Sequence, residues 1–311
     1  MSRFRRRSVR VVAVVPLALA LCSLTTPAAA EDPPFVGWTA ALPPLAGQYE
    51  PSSSDDCVAG RVPCVDKAIR EMQRRFDPQA DQCAHAAVFS LAYLRTTQTF
   101  LRTTLTPGFY ADPAFVNHED VVFAGLYFSA VDDWAAGRRE RVPPAWRVAL
   151  DASAASRVSG SGDLLLGMNA HVNRDLVFTL AAIGLVDAQG RSRKLDHDQV
   201  NVMLNQVVDP LVQEAAARFD PGIARVKTPY GVGYTALMQQ LLAWRESAWR
   251  MAEQLVAARD DAERARVAAA IETNAEANAH LIVAQTAYAP PLTSTAGRDS
   301  HCAAARAAAG T

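Results

Sequence analysis

The chain predicts an all-α protein, a single multi-helix bundle of about eight helices with an extended N-terminal arm. Three observations carry this. Apolar residues recur every three or four positions through most of residues 57–289. No run of alternating β-branched residues suggests a sheet. Short breaks rich in Pro, Gly and Asp separate the periodic stretches, and connections that short make neighbouring helices mostly antiparallel.

The elements follow in order. Val65, Ile69, Met72 and Phe76 give a first helix, with Asp77-Pro78 as its stop. Val88, Leu91, Leu94 and Phe100 share one side of a second, ended by Pro107-Gly108. Asp112-Pro113 opens a third, whose stripe of Phe123, Leu126, Tyr127 and Ala130 runs to Trp134, with Gly137 as C-cap. Pro143-Pro144 opens a fourth, since proline is tolerated in a first turn. After the break Ser159-Gly160-Ser161-Gly162, Asp163 caps an apolar helix reaching about Leu185. Asp196 caps the next, which carries Val200, Leu204, Val207 and Leu211 and ends near Phe219. Residues 225–235 read as a loop, and long helices over 236–258 and 261–287 close the domain. The tail, 290–311, reads as loose apart from Cys302.

The N-terminus has the layout of a secretory signal peptide over residues 1–30. Arg3, Arg5, Arg6, Arg7 and Arg10 precede an apolar run from Val11 to Leu24, and Thr25-Thr26-Pro27-Ala28-Ala29-Ala30 supplies the small residues a signal peptidase accepts. Cleavage near Ala30 predicts a secreted protein. Residues 31–56, rich in Pro, Ser and Asp, read as an extended arm on the helical domain of 57–289. Five of the 31 basic side chains lie in residues 1–30, so 26 remain against 32 acidic ones, a net charge of −6. That balance leaves no footprint for nucleic acid or an anionic membrane. No later stretch is apolar and long enough to span a bilayer. Four cysteines follow the signal, and an even count in an exported chain reads as disulfides. Cys57 and Cys64 are local to one another, which leaves Cys83 to pair with Cys302.

The densest polar feature lies inside an apolar helix, in Asn169-Ala170-His171-Val172-Asn173-Arg174-Asp175. His171 and Asp175, four residues apart, project from one side, where they can pair or share a metal ion. So many polar groups among leucines each need a partner. His118 in Asn117-His118-Glu119-Asp120 and His197 in Asp196-His197-Asp198 stand beside carboxylates at two further helix starts, where an acid is also a good cap. Were these helices neighbours, His118, His171, Asp175 and His197 would make a nitrogen–oxygen site for zinc or another divalent metal. Glu119 or Asp198 would then serve as general base on metal-activated water. Asn169, Asn173, Arg174 and Asn201 are candidate ligand-binding residues. Thr96-Thr97-Gln98-Thr99 is a polar patch suited to line a cavity. Trp244, Arg245, Glu246, Trp249 and Arg250 read as packing with ion pairs.

These motifs carry a resemblance. Cys57…Cys64, Pro107-Gly108-Phe109-Tyr110, Asn117-His118-Glu119-Asp120, the run Leu166 to Leu176, Lys194-Leu195-Asp196-His197-Asp198 with Asn201, and Trp244-Arg245-Glu246 resemble a bacterial family of uncharacterised helical proteins. The resemblance spans about Cys57 to Tyr288 and implies the fold rather than a reaction. More weakly, Gly167, His171 and Asp175 are similar in spacing to a helix of zinc-dependent phospholipases C and related single-strand nucleases. That likeness implies metal-ligand roles for His171 and Asp175 and phosphate esters as substrates. The chain departs from it after Leu176, where no further histidine follows, and in lacking an N-terminal tryptophan ligand. Three readings therefore stand: a metal-dependent hydrolase of phosphate esters, a non-catalytic protein binding a small molecule between its helices, and a structural domain whose polar network fixes helix register.

Overall fold

A computed structural model describes residues 49–226 and 232–309. The signal-like segment 1–30 and arm residues 31–48 lie outside the described residues. Within them the chain is helical throughout: α1 (Val62–Asp81), α2 (Ala87–Thr104), α3 (Pro113–Ala135), α4 (Pro144–Ala154), α5 (Gly160–Ala170), α6 (Leu176–Ile183), α7 (Lys194–Arg218), α8 (Val232–Ala257), α9 (Asp261–Thr286) and α10 (Ala296–Ala309). Isolated bridges, Val158 with Ala287 and Val186 with Ser192, are the described β-type pairings. The all-α bundle is thus observed. No described helix is long and apolar enough to cross a membrane.

The centre is one rod made of α5, a π-helical turn at His171–Asp175, and α6. Leu164, Leu166, Leu176, Val177, Phe178 and Leu180 are all buried, although they point in different directions around its axis. A helix apolar on every side belongs in the middle of a bundle. Here the rod packs against α2, α3, α4, α8 and α9. All five residues of the π turn are buried. Such wide turns are rare and recur at functional sites.

Gly167 shows how tightly the rod is gripped. A Cβ there would lie 2.2 Å from Cγ of Phe89 on α2. The missing side chain lets the Phe89 ring sit against the rod, edge-on to Trp146, Tyr127 and His171. Gly60, at φ +65°, allows a second close approach, to the Ala114 carbonyl at the start of α3.

Four local expectations change, the first being that Ser159 and not Asp163 caps α5, accepting the Gly162 N–H at 3.3 Å. Helix α1 runs through Pro78 to Asp81, because a proline so near the end forfeits little of the helical ladder. Asp196 does not cap its own helix. It accepts the backbone N–H groups of Ala111 (2.7 Å) and Asp112 (2.9 Å), tying α7 to the entry of α3. The tail is not loose, for residues 296–309 form α10. Cys83 and Cys302 lie at disulfide distance, with Cα atoms 5.9 Å apart. Arg298 donates to the Cys83 and Ala84 carbonyls, and His301 approaches the Ala216 carbonyl at 3.0 Å. An alanine-rich segment has the propensity for a helix, and these polar anchors hold it down without an apolar stripe. The other cysteine pair, Cys57 and Cys64, has Cα atoms 5.1 Å apart at the start of α1.

Gly167→Ala is expected to destabilise the fold by about 1–3 kcal/mol, the usual cost of overpacking a filled core. Urea unfolding read by tryptophan fluorescence measures it. An unchanged midpoint would show that Phe89 moves aside freely.

Candidate functional site

A cavity of about 130 Å³ lies between α2, α3, the rod, α7 and α8. Its wall is mostly apolar, with Phe100, Val116, Leu164, Met203, Leu204 and Leu241 among the lining side chains. Set into that wall are Tyr93, Thr96, Glu119, Asp120, His171 and Arg245. Apolar pockets carrying a few convergent polar groups are the usual form of small-molecule sites.

His171 comes from the π turn, and its surroundings fix it on every side but one. Its Nδ1 lies 3.0 Å from Oδ2 of Asp175. That same oxygen accepts from Trp146 Nε1 at 2.8 Å, and the other carboxylate oxygen accepts from Arg174 at 2.7 Å. Arg174 in turn donates through Nε to Glu272 on α9 at 2.9 Å. Phe123 stacks on the imidazole, with centroids 3.5 Å apart and planes 8° from parallel. With three donors on Asp175, Nδ1 carries the ring proton and Nε2 keeps its lone pair. Nε2 is buried and has no hydrogen-bond partner among the described residues. Burial holds the His171 pKa below its ordinary value despite the opposing pull of Asp175, so the ring is neutral at pH 7.

Two more lining residues share this condition. The Tyr93 hydroxyl and Asp120 Oδ2 are buried and lack a partner among the described residues. Burial, reinforced by the neighbouring charge of Glu119, pushes the Asp120 carboxyl up to about 8. It therefore keeps its proton at neutral pH and can donate a hydrogen bond. Burial likewise drives the Tyr93 phenol well above its ordinary value, with Asp120 and Asp175 adding to the effect. Buried polar atoms are nearly always satisfied in native proteins, and here three unsatisfied ones belong to residues that line one cavity.

The opposite wall is already paired. Arg245 donates through Nε to Asn201 at 2.7 Å and through a terminal nitrogen to the His197 carbonyl at 2.7 Å. His197 Nδ1 lies 4.0 Å from Glu119 Oε1. Burial, then the Arg245 charge, lowers the pKa of His197.

The family of unknown function DUF5995 matches residues 65–285. The chain belongs to that family. No curated protein and no solved structure matches this DUF5995 chain, so the likeness to phospholipase C and nuclease helices finds no counterpart there.

Residues singled out from the sequence scatter over several places. His171 and Glu119 line the cavity. Asp175 stands behind His171 with both oxygens engaged. His118 faces away, with Nδ1 2.7 Å from the Cys57 carbonyl. His197 faces Arg245. The expected metal set of His118, His171, Asp175 and His197 is thus not brought together. Among the described residues no group of three or more His, Cys, Asp or Glu is placed to hold a metal ion. Asp198 is exposed and pairs with Lys194 instead of lining the site. Asn169 donates to the Ala275 carbonyl at 2.8 Å and accepts from Asn173 at 2.9 Å, so these two and Arg174 stitch the π turn to its neighbours. Asn201 reaches the site only through Arg245. Thr96 lines the cavity as its polar patch suggests. Tyr93 and Asp120 were hidden, one an aromatic among the apolar residues of its helix and the other among acids that suit any helix start.

Asp120 makes stability depend on pH with a definite sign. Its folded value of about 8 exceeds the ordinary 3.8, so the folded chain holds a proton that the unfolded chain has released. Stability contributed by this group is greatest in acid and falls as pH rises from about 4 to about 8. Asp120→Asn should raise Tm clearly at pH 8 and much less at pH 5, measured by circular dichroism. A gap that is equal at both pH values would contradict the protonated carboxyl.

Proposed function

We propose that this DUF5995 chain binds a small, largely apolar molecule carrying one uncharged oxygen group, a hydroxyl or a carbonyl. The observation that carries the reading is that Tyr93, Asp120 and His171, which line one apolar cavity, each hold a buried polar atom without a partner among the described residues. Each supplies a definite valence. His171 Nε2 accepts, protonated Asp120 donates, and the Tyr93 hydroxyl does either. A ligand hydroxyl answers all three valences, and a carbonyl answers the two donors, without bringing a charge into the apolar interior. The size agrees: a cavity of about 130 Å³ is close to the ~150 Å³ of an engineered apolar cavity that takes up benzene. A phosphate ester is disfavoured because the guanidinium on the wall, Arg245, already serves Asn201 and His197. The signal-like segment 1–30 and the two cysteine pairs support a place of action outside the cytoplasm.

The test compares three probes of one shape: indanol, indane and indane carboxylate. Indanol should raise Tm by several degrees at saturating concentration, since a ligand at a hundred times its Kd stabilises by about 2.7 kcal/mol. Indane should stabilise less, and the carboxylate hardly at all. Val207→Trp, which fills the cavity, should abolish the effect while the fold persists. Equal stabilisation by all three, or none by any, would refute the reading.

A further inference from the structure

We infer that the cavity is a proton-transfer site for an apolar ketone: His171 takes a proton from the carbon beside the carbonyl, and Tyr93 and Asp120 hydrogen-bond the oxygen. The inference rests on the binding reading above and adds chemistry to it.

Its first support is the asymmetry of the His171 ring. One nitrogen is fixed 3.0 Å from a carboxylate that Trp146 and Arg174 hold from behind. The other is buried and without a partner among the described residues, on a residue that lines the cavity. A histidine retained for packing has no need of a stranded nitrogen. A general base needs this tautomer with its lone pair free, and a carboxylate behind it to stabilise the imidazolium once formed. Phe123 fixes the plane of the ring.

The second support is the pairing of a phenol with a carboxylic acid that stays neutral. In an apolar site such donors stabilise an oxygen on which negative charge develops, the known division of labour in enzymatic enolisation. Tyr93 touches the His171 ring edge-on, with centroids 4.5 Å apart, and both residues line the cavity. Asp120 and Tyr93 line the same cavity.

The step balances without a co-reactant. A C–H bond beside the carbonyl breaks, and its electron pair forms a double bond to the carbonyl carbon. The carbonyl π pair moves onto oxygen, and the proton rests on Nε2. Return of the proton to the same carbon restores the ketone. Return to the far end of a conjugated enolate shifts a double bond. Nothing is oxidised or reduced, and water is not consumed.

The experiment uses the full chain and 1-indanone in deuterium oxide. NMR follows exchange of the hydrogens beside the carbonyl, and the same titration reports binding. Exchange should saturate with indanone and exceed the buffer rate by at least about a hundredfold, the usual scale of general-base catalysis. His171→Gln should fall to the buffer rate while still binding indanone. Tyr93→Phe and Asp120→Ala should each lower the maximal rate about tenfold or more. Trp146 is a positioning residue. Trp146→Phe removes one donor from Asp175, and should lower the maximal rate without moving the half-saturating concentration or the far-UV circular dichroism spectrum. It also decides the matter if His171→Gln does not fold. Bound indanone that exchanges at the buffer rate overturns this inference and leaves the binding site standing. Exchange that survives in a folded His171→Gln or is unaltered in Trp146→Phe also overturns it. Indanone that fails to bind overturns both readings.

Discussion

Asp175 has no solvent exposure, and the centre of the molecule is organised around keeping its carboxylate partnered. A buried charge with one partner removed costs about 3–5 kcal/mol. Its donors come from different elements: Trp146 from α4, Arg174 and His171 from the π turn. Arg174 cannot be left unbalanced either, and Glu272 fixes its other edge to α9. Two amides extend the same network, Asn173 to Asn169 and Asn169 to the Ala275 carbonyl. The positions of α4, α9 and the rod are therefore set together. Apolar packing alone would leave the rod free to rotate or slide, because it is hydrophobic all round.

The network accounts for the wide turn in the rod. His171, Asn173, Arg174 and Asp175 follow one another within five residues, yet all are buried and most serve different neighbours. The widened backbone of a π turn changes the side-chain spacing at this point alone. It sends Arg174 toward α9, Asp175 toward α4 and the His171 ring toward Phe123 and the cavity. Gly167, one turn earlier, admits Phe89 and completes the aromatic surround of the imidazole.

How much of this was legible follows from where each partner lies. The bundle and its central apolar rod were readable because periodicity is a local signal. So was the i,i+4 pairing of His171 with Asp175, and so was the demand that Asn169, Asn173 and Arg174 each be satisfied. Their role was not readable, since whether a polar side chain meets a ligand or a backbone carbonyl depends on tertiary neighbours. His118 ends on the Cys57 carbonyl and His197 on Arg245, choices their own helices do not announce. Asp120 was missed for the opposite reason. An acid in the first turns of a helix has a sufficient local explanation, and only burial in a cavity wall contradicts it. Tyr93 lies among apolar residues of α2, and its ring is buried as theirs are. The exceptional atom is the hydroxyl at its tip, which has no sequence signature. The C-terminal tail misled because its anchors are a distant cysteine and distant carbonyls.

On the binding reading proposed above, the cavity is selected and is not a packing fault. A void among leucines costs stability in proportion to its volume, and hydrophobic side chains of fitting size would remove that cost. Leaving Tyr93, Asp120 and His171 with unpaired atoms costs more, because each loses the hydrogen bonds it makes in water. Phenylalanine at 93 and leucine at 120 would relieve most of that with no loss to the Asp175 network, which does not involve either residue. His171 differs. Its Nδ1 belongs to the network while its Nε2 belongs to the cavity, so one imidazole joins the part that specifies the fold to the part that is costly for the fold. Polar groups kept against stability in this way mark functional sites, where a local rule is broken for a gain made elsewhere. In this molecule the break occurs at one end of a single buried side chain, and the other end is what makes the break tolerable.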